Sequence, residues 1–239
     1  MKNIFIFVSF FLTTFCLCAQ EQPHSTEINE KAKLYIKNAN NLASIYSGRE
    51  EPKYPERITN HPYLESPNFR KGTLSVDGCV YHEMPMRLNQ YVEELAVSTP
   101  DERLSILVPR EYLDYAIIDS MYISFQKPQS ADGKALPEGY YVRIHNGKSQ
   151  VWKRSVSSIE NSIRQVERTL DYRFVHKVKM YIYTDGAYHL VKNKRSLLKV
   201  FEPKKKELQK MIRKLELSFI KSPEEMVITV AKYYDEINK

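Results

Sequence analysis

Residues 70–126 alternate between apolar and polar positions with the period of a half-buried strand. Leu74 and Val76 fall on one face; so do Met84, Met86 and Leu88, then Leu104, Ile106 and Val108, then Met121, Ile123 and Phe125. Successive strand side chains point to opposite faces, so each set marks a strand with one buried side. Asp77-Gly78 separates two such runs and predicts a tight hairpin turn. The alternation returns at Tyr140, Val142 and Ile144, turns at Asn146-Gly147 with both residues expected at positive φ, and comes back through Val151. A third pair runs through Val178, Met180 and Ile182, turns at Asp185-Gly186 and returns through Tyr188 and Leu190. Ala131 to Pro137, around Asp132-Gly133, reads as a loop. Ser155 to Arg168 fits a helix or an irregular excursion equally well.

Two other stretches carry the helical period. From Glu27 to Tyr46 the positions Ile28, Ala32, Tyr35, Ala39, Leu42, Ala43 and Tyr46 recur every three or four residues, which predicts an amphipathic helix stopped by Gly48. Arg49 to Phe69 follows with Pro52, Pro55, Pro62 and Pro67, so it is a connector and not a helix. Near the C-terminus a helix opens at Pro203 with an apolar stripe of Leu208, Met211, Ile212 and Leu215. Ser222-Pro223-Glu224-Glu225 has the form of a capping box and starts a last helix with Val227, Val230, Tyr234 and Ile237 inward. The fold class is therefore α+β: an antiparallel curved sheet or open barrel, with an N-terminal helix and a C-terminal helical pair. The expected divisions are 1–19, 20–69 (helix and connector), 70–192 (β region) and 193–239 (basic helical segment packed on the sheet).

Residues 1–19 have the layout of a secretory signal peptide. Met1-Lys2-Asn3 carries one positive charge, and an unbroken apolar run follows from Ile4 to Phe11. The run is too short for a membrane span, and no transmembrane segment is expected further on. Cleavage after Ala19 would make Gln20 the first residue; the alternative is a lipid anchor on Cys18, to which Phe15 and Leu17 are a poor fit. Cleavage also leaves Cys79 as the one cysteine, so stability must come from burial and not from a disulfide. In Asp77-Gly78-Cys79-Val80-Tyr81, Cys79 reads as a small packed hydrophobe, and His82 points to the other face of that strand.

Charge changes the picture in one place. The chain has a formal net charge of +7, but Lys192 to Lys214 holds ten Lys or Arg and two acids, a local +8. The basic character belongs to this segment and not to the whole surface, which argues against nucleic acid as a partner. Lys206, Lys210, Arg213 and Lys214 fall opposite the apolar stripe at 100° per residue. They form either a solvated face, supported by pairs such as Glu202–Lys206, or a contact for an anionic lipid or polysaccharide surface.

Motif chemistry is sparse. There is no glycine-rich phosphate loop, no Gly-x-Ser-x-Gly elbow and no His-Glu-x-x-His pattern. His24, His61, His82, His145, His176 and His189 are never two, three or four residues apart, so no local metal site or cofactor is expected. The 17 tyrosines and ten phenylalanines fit a sheet surface, and sugar stacking is the functional alternative.

Several pieces together resemble a group of uncharacterised secreted proteins of Bacteroidota. They are Tyr46-Ser47-Gly48, Asn60-His61-Pro62-Tyr63, Gly72-Thr73-Leu74 leading to Tyr81, Glu94-Leu95-Ala96-Val97, Gly139-Tyr140-Tyr141, Lys194-Arg195-Ser196-Leu197-Leu198 and Ala231-Lys232-Tyr233-Tyr234. The resemblance implies export and a continuous domain, and carries no activity and no functional residue. The group often has a Tyr-Asp pair where this chain has Leu88-Asn89. Asp119-Ser120-Met121 is similar to the short O-glycosylation signal of secreted Bacteroides proteins, with Ser120 as acceptor. The chain thus reads as a secreted, cofactor-free, non-catalytic accessory or binding protein of a Gram-negative envelope. Its expected partner is an envelope protein or an anionic surface. The alternatives are a module holding a small apolar ligand in its curved sheet, and a hydrolase built from dispersed histidines and carboxylates.

Overall fold

Three two-residue turns set the register of the sheet. Asp77-Gly78, Asp119-Ser120 and Asp185-Gly186 all lie at positive φ: 49° and 71°, 47° and 70°, 50° and 76°. This mirror-image turn matches the right-handed twist of the strands it joins. The Asp-Gly turns are the two expected; Asp119-Ser120 has no glycine and gave no such signal. The structure, a computed structural model, describes residues 45–127, 136–164 and 169–238. All of these fall in one compact unit, residues 40–239. The leader at Met1–Ala19, His24, the loop at Asp132-Gly133 and the N-terminal helix lie outside the described residues, except that Ile45 and Tyr46 at that helix's end are helical.

Ten strands form one open sheet. They are β1 (Arg70–Val76), β2 (Cys79–Asn89), β3 (Glu94–Ser98), β4 (Ser105–Leu107), β5 (Leu113–Ile118), β6 (Met121–Gln126), β7 (Gly139–Asn146), β8 (Gln150–Arg164), β9 (Thr169–Thr184) and β10 (Ala187–Val191). Their order is β10-β9-β8-β7-β6-β5-β1-β2-β3-β4, antiparallel throughout. Register shifts in β1 and β7 mark bulges, which bend strands. The Ser157 N–H of β8 donates to Gln90 O after β2 at 2.9 Å, although four strands separate β8 from β2. In a flat sheet they would stand about 24 Å apart at strand spacing, so the sheet curls back on itself.

The stretch 155–168 is neither helix nor irregular excursion up to Arg164. It continues β8, paired with β9 without a break from Gln150↔Tyr183 to Arg164↔Thr169. Ser155, Ser157 and Ser158 give this ribbon no apolar alternation, which is why the pattern did not reveal it. The Asn146-Gly147 turn also differs from expectation. Asn146 pairs with Gln150 across a three-residue loop, and neither Asn146 nor Gly147 has positive φ. Asp235 sets this loop: its carboxylate accepts from the Ser149 N–H at 3.0 Å and from the Ser149 hydroxyl, and meets His145 Nε2 at 3.3 Å. Gly147 is needed for space, since a Cβ there would lie 2.8 Å from His145 Nε2 and collide with the Asp235 carboxylate.

The helices are α1 (Lys194–Val200), a 3₁₀ turn (Glu202–Lys204), α2 (Lys205–Lys214) and α3 (Pro223–Ile237). They cover one face of β8, β9 and β10, where Val151, Ile182 and Val191 meet Leu197, Phe201, Leu208, Met226 and Val230. A second buried cluster fills the apolar side of β1, β2, β3 and β5, with Ile45 and Leu64 from the connector side. On the opposite face, Leu136 covers Tyr141, Trp152 and Tyr181. The reciprocal cap forms at Asn193 and Ser196 of α1; the Ser222 side chain makes no capping bond. Leu215 ends α2 and is 52% exposed, Ile237 is half-buried, and Leu104 precedes β4 and is 46% exposed. The ion pair on the basic segment is Lys204–Glu207, not Glu202–Lys206.

Candidate functional site

A cleft of about 720 Å³ opens between the connector and the outer face of β2, β3 and β4. The period of β2 places it: Met86 and Leu88 turn into the core, so Arg87 and Asn89 face the other way. Residues 49–51 run along β4 and seal that edge of the sheet, with the Glu51 N–H on Ser105 O at 2.8 Å and the Leu107 N–H on Arg49 O at 2.9 Å. This brings the Glu51 side chain over β2. The Arg87 guanidinium donates to Glu51 Oε2 from Nη2 at 2.6 Å and from Nε at 3.2 Å, and from Nη1 to Pro67 O at 2.6 Å. Its plane lies between the rings of Tyr63 and Phe69, 3.9 and 4.2 Å from their centroids. Ser105 Oγ donates to Glu51 Oε2 at 2.6 Å, and Asn89 Nδ2 to Oε1 at 2.8 Å.

Asn89 is fully buried, and its carbonyl oxygen accepts from the Tyr91 N–H at 3.1 Å, closing the turn after β2. An aspartate here would set two carboxylates against each other; the amide supplies the donor that Glu51 needs. Tyr54 joins Asn89 Nδ2 at 2.9 Å and packs edge-on against Phe174 and Tyr91, with centroids 5.0 and 5.9 Å away. Asn60 brackets the backbone of Phe174, accepting from its N–H at 2.7 Å and donating to its carbonyl at 2.8 Å. The Asn60-His61-Pro62-Tyr63 motif thus ties the connector to the β8–β9 ribbon.

A smaller hollow of about 310 Å³ lies beside it, lined by His61, Gln90, Lys153, Ser155, His176 and Glu224 among others. Burial, then the nearby His176, holds the His61 imidazole below its usual range. His176 Nδ1 stands 2.7 Å from Ser157 Oγ and 2.9 Å from Gln90 Oε1. With the Gln90 carbonyl oxygen toward it, the tautomer this geometry favours carries its proton on Nδ1 and takes none from Ser157. In the main cleft, Glu51 accepts four hydrogen bonds, three at Oε2 and one at Oε1, so the Arg87 ion pair and its neighbours already engage both oxygens. Among the described residues, no group of three or more His, Cys, Asp or Glu could hold a metal ion.

Burial pushes up the phenols of Tyr46, Tyr54, Tyr63, Tyr140, Tyr141, Tyr181 and Tyr188 from 10.0; the Glu51 charge adds to the effect at Tyr63 and Tyr54. The unfolded chain therefore releases these protons first as pH rises, and it binds fewer protons than the folded chain above about pH 10. Stability should hold up to about pH 9 and fall above about pH 10. Urea unfolding at stepped pH, with phenolate absorbance in parallel, checks this; ionisation of all tyrosines before unfolding would contradict it.

The residues singled out from sequence lie elsewhere. Lys206, Lys210, Arg213 and Lys214 are all exposed on α2, across from the buried Leu208, Met211 and Ile212. No carboxylate among the described residues is within ion-pair distance of them. Ser120 is exposed in its two-residue turn, next to Asp119, whose carboxylate accepts from Arg70 at 2.7 Å. Cys79 is half-buried at the start of β2. Glu51 and Arg87 were not singled out, and Asn89 was noted only for the Leu88-Asn89 pair; the pattern signal was the place of Arg87 and Asn89 on the non-core side of a strand. Comparisons of the chain with family models, with curated proteins and with solved structures found no match.

Proposed function

We propose that the chain is a secreted accessory or binding protein of a Gram-negative cell envelope, non-catalytic, which holds its partner at the cleft over β2–β4. One observation carries this. The buried charges of the cleft, Glu51 and Arg87, are consumed by each other and by Asn89, Ser105 and Pro67. Tyr54, Phe69 and Leu104 are left as an aromatic and aliphatic wall, with Lys53, Lys71 and Arg103 exposed at its rim. Such a wall is preorganised and costs little to order on binding. The Met1–Ala19 pattern supports export. No helix among the described residues is long and apolar enough to cross a membrane.

Native capture of the tagged protein from its own envelope tests the reading, with Leu104→Glu/Lys71→Glu as the cleft variant. A partner held by the wild type and lost by the variant is expected, with the recovered chain starting at Gln20. Equal capture by both moves the contact elsewhere, and a full-length cytosolic protein ends the export reading. Lipid on Cys18 would make it membrane-anchored. The hydrolase alternative predicts turnover that Glu51→Gln removes. The apolar-ligand alternative would need an unfilled apolar hollow, whereas both large buried clusters are packed and the cleft is ringed by charge.

The basic face of α2 is the second contact surface of this reading. Each Lys or Arg near an anionic surface adds on the order of 1 kcal/mol, and salt screens it within about 8–10 Å. Reversing Lys206, Lys210, Arg213 and Lys214 to Glu should change the unfolding free energy by no more than about 0.5 kcal/mol per site, since all four are exposed. It should abolish salt-sensitive binding to vesicles of anionic lipid. Equal binding by both proteins, or none at low salt, would leave α2 as a solvated face.

A further inference from the structure

The two ends of the sheet are treated differently. The β4 edge is sealed by the chain's own residues 49–51. The β10 edge pairs only with β9, and no other strand among the described residues lies against it. The Asp185-Gly186 turn fixes which backbone groups face outward. In a two-residue hairpin the residues flanking the turn, Thr184 and Ala187, exchange both their hydrogen bonds, and bonded and unbonded pairs then alternate. Ala187, His189 and Val191 therefore bond to β9, while Tyr188 and Leu190 direct their N–H and C=O groups away from it. An exposed edge is normally blunted by proline, a bulge or an inward charge. β10 has none of these: its five pairs with β9 run without a shift, and its residues are Ala187, Tyr188, His189, Leu190 and Val191. Beside this edge lies a groove of about 390 Å³, floored by Tyr188, His189 and Leu190 and walled by Ser196, Lys199 and Val200 of α1.

We infer that β10 is a docking edge for an extended, acidic segment of a partner protein, which adds an eleventh strand in the groove against α1. The backbone groups of Tyr188 and Leu190 supply four hydrogen-bonding positions for it. Charge selects the occupant: Lys199 lines the groove, and Lys192, Lys194 and Arg195 are exposed in the segment that joins its floor at Leu190 to its wall at Ser196. The same charges disfavour a second copy, because edge-to-edge pairing about a two-fold axis would bring two such clusters together. The site is separate from the cleft and does not depend on the reading given to it.

The test uses the purified protein and two blocked six-residue peptides, one alternating glutamate with valine and the other lysine with valine. The glutamate peptide should bind about tenfold or more tightly than the lysine peptide, and weaken as salt rises. It should also slow hydrogen exchange at the Tyr188 and Leu190 amides, which should exchange fast in the protein alone. Leu190→Pro removes one outward N–H without touching the β9 ladder and should abolish binding. N-methylation of alternate peptide residues does the same from the ligand side and leaves the protein intact. Leu104→Glu/Lys71→Glu in the cleft should change nothing here. Slow exchange at both amides in the protein alone would overturn the inference. So would equal binding of the two peptides, binding that survives N-methylation, absence of binding, or concentration-dependent dimers in place of peptide complexes.

Discussion

Arg87→Ala should destabilise the protein by about 3–5 kcal/mol, measured as a shift of the urea midpoint at constant slope. The Glu51 side chain is 2% exposed and that of Arg87 is 18%. Removing the guanidinium leaves a buried carboxylate with only Asn89 and Ser105 to satisfy it, and takes away the group that the rings of Tyr63 and Phe69 enclose. Two companions separate charge from packing. Arg87→Lys keeps the charge but cannot reach Glu51 and Pro67 with a planar fork, so it should recover only part of the loss. The double replacement Glu51→Leu/Arg87→Met removes both charges and should cost less than Arg87→Ala alone, because no buried ion is stranded. Additive losses in the double variant would mean that the ion pair is not what holds the connector to β2.

The same network marks where the sequence stops being legible. Alternation through Met84, Met86 and Leu88 is enough to place Arg87 and Asn89 on the non-core side of a strand. Nothing in that pattern says that Glu51, 36 residues earlier in a proline-rich connector, closes over them. The Asn146-Gly147 turn failed for the same physical reason. Its local preference is overridden by Asp235, which bonds Ser149 from 86 positions further along the chain. Features set within a few residues were readable: the Asp77-Gly78 and Asp185-Gly186 turns, and the basic face of α2 opposite Leu208, Met211 and Ile212. Beyond Ser155 the β8–β9 ribbon was hidden because its neighbours are supplied by tertiary contact. Ile58 bridges to Tyr172, and Gln90 pairs with Ser157, so polar residues there form strand without an apolar period of their own.

Phe201→Ala should cost about 3–5 kcal/mol, which is a large part of the 5–15 kcal/mol that holds a typical native fold together. Phe201 was in no apolar stripe, because it sits between helices, where no period runs. It is fully buried, it ends α1 and leads into the 3₁₀ turn, and its ring lies 4.3 Å from that of Tyr234 at 30°. One side chain therefore joins α1, α2 and α3, which together cover Val151, Ile182 and Val191 of the sheet. Truncation opens a cavity that these helices cannot close without losing their other contacts, so the cost includes lost burial and an unfilled space. Phe201→Leu retains most of the volume and should cost about 1.5 kcal/mol or less. Urea midpoints of both variants give the comparison. The three elements Phe201 holds are those that present the cations of α2 and form the wall of the groove beside β10. Peptide protection at Tyr188 and Leu190 should therefore weaken in Phe201→Ala and persist in Phe201→Leu. A near-neutral Phe201→Ala would mean that the helices are held by their other contacts, and that the groove wall does not depend on this junction.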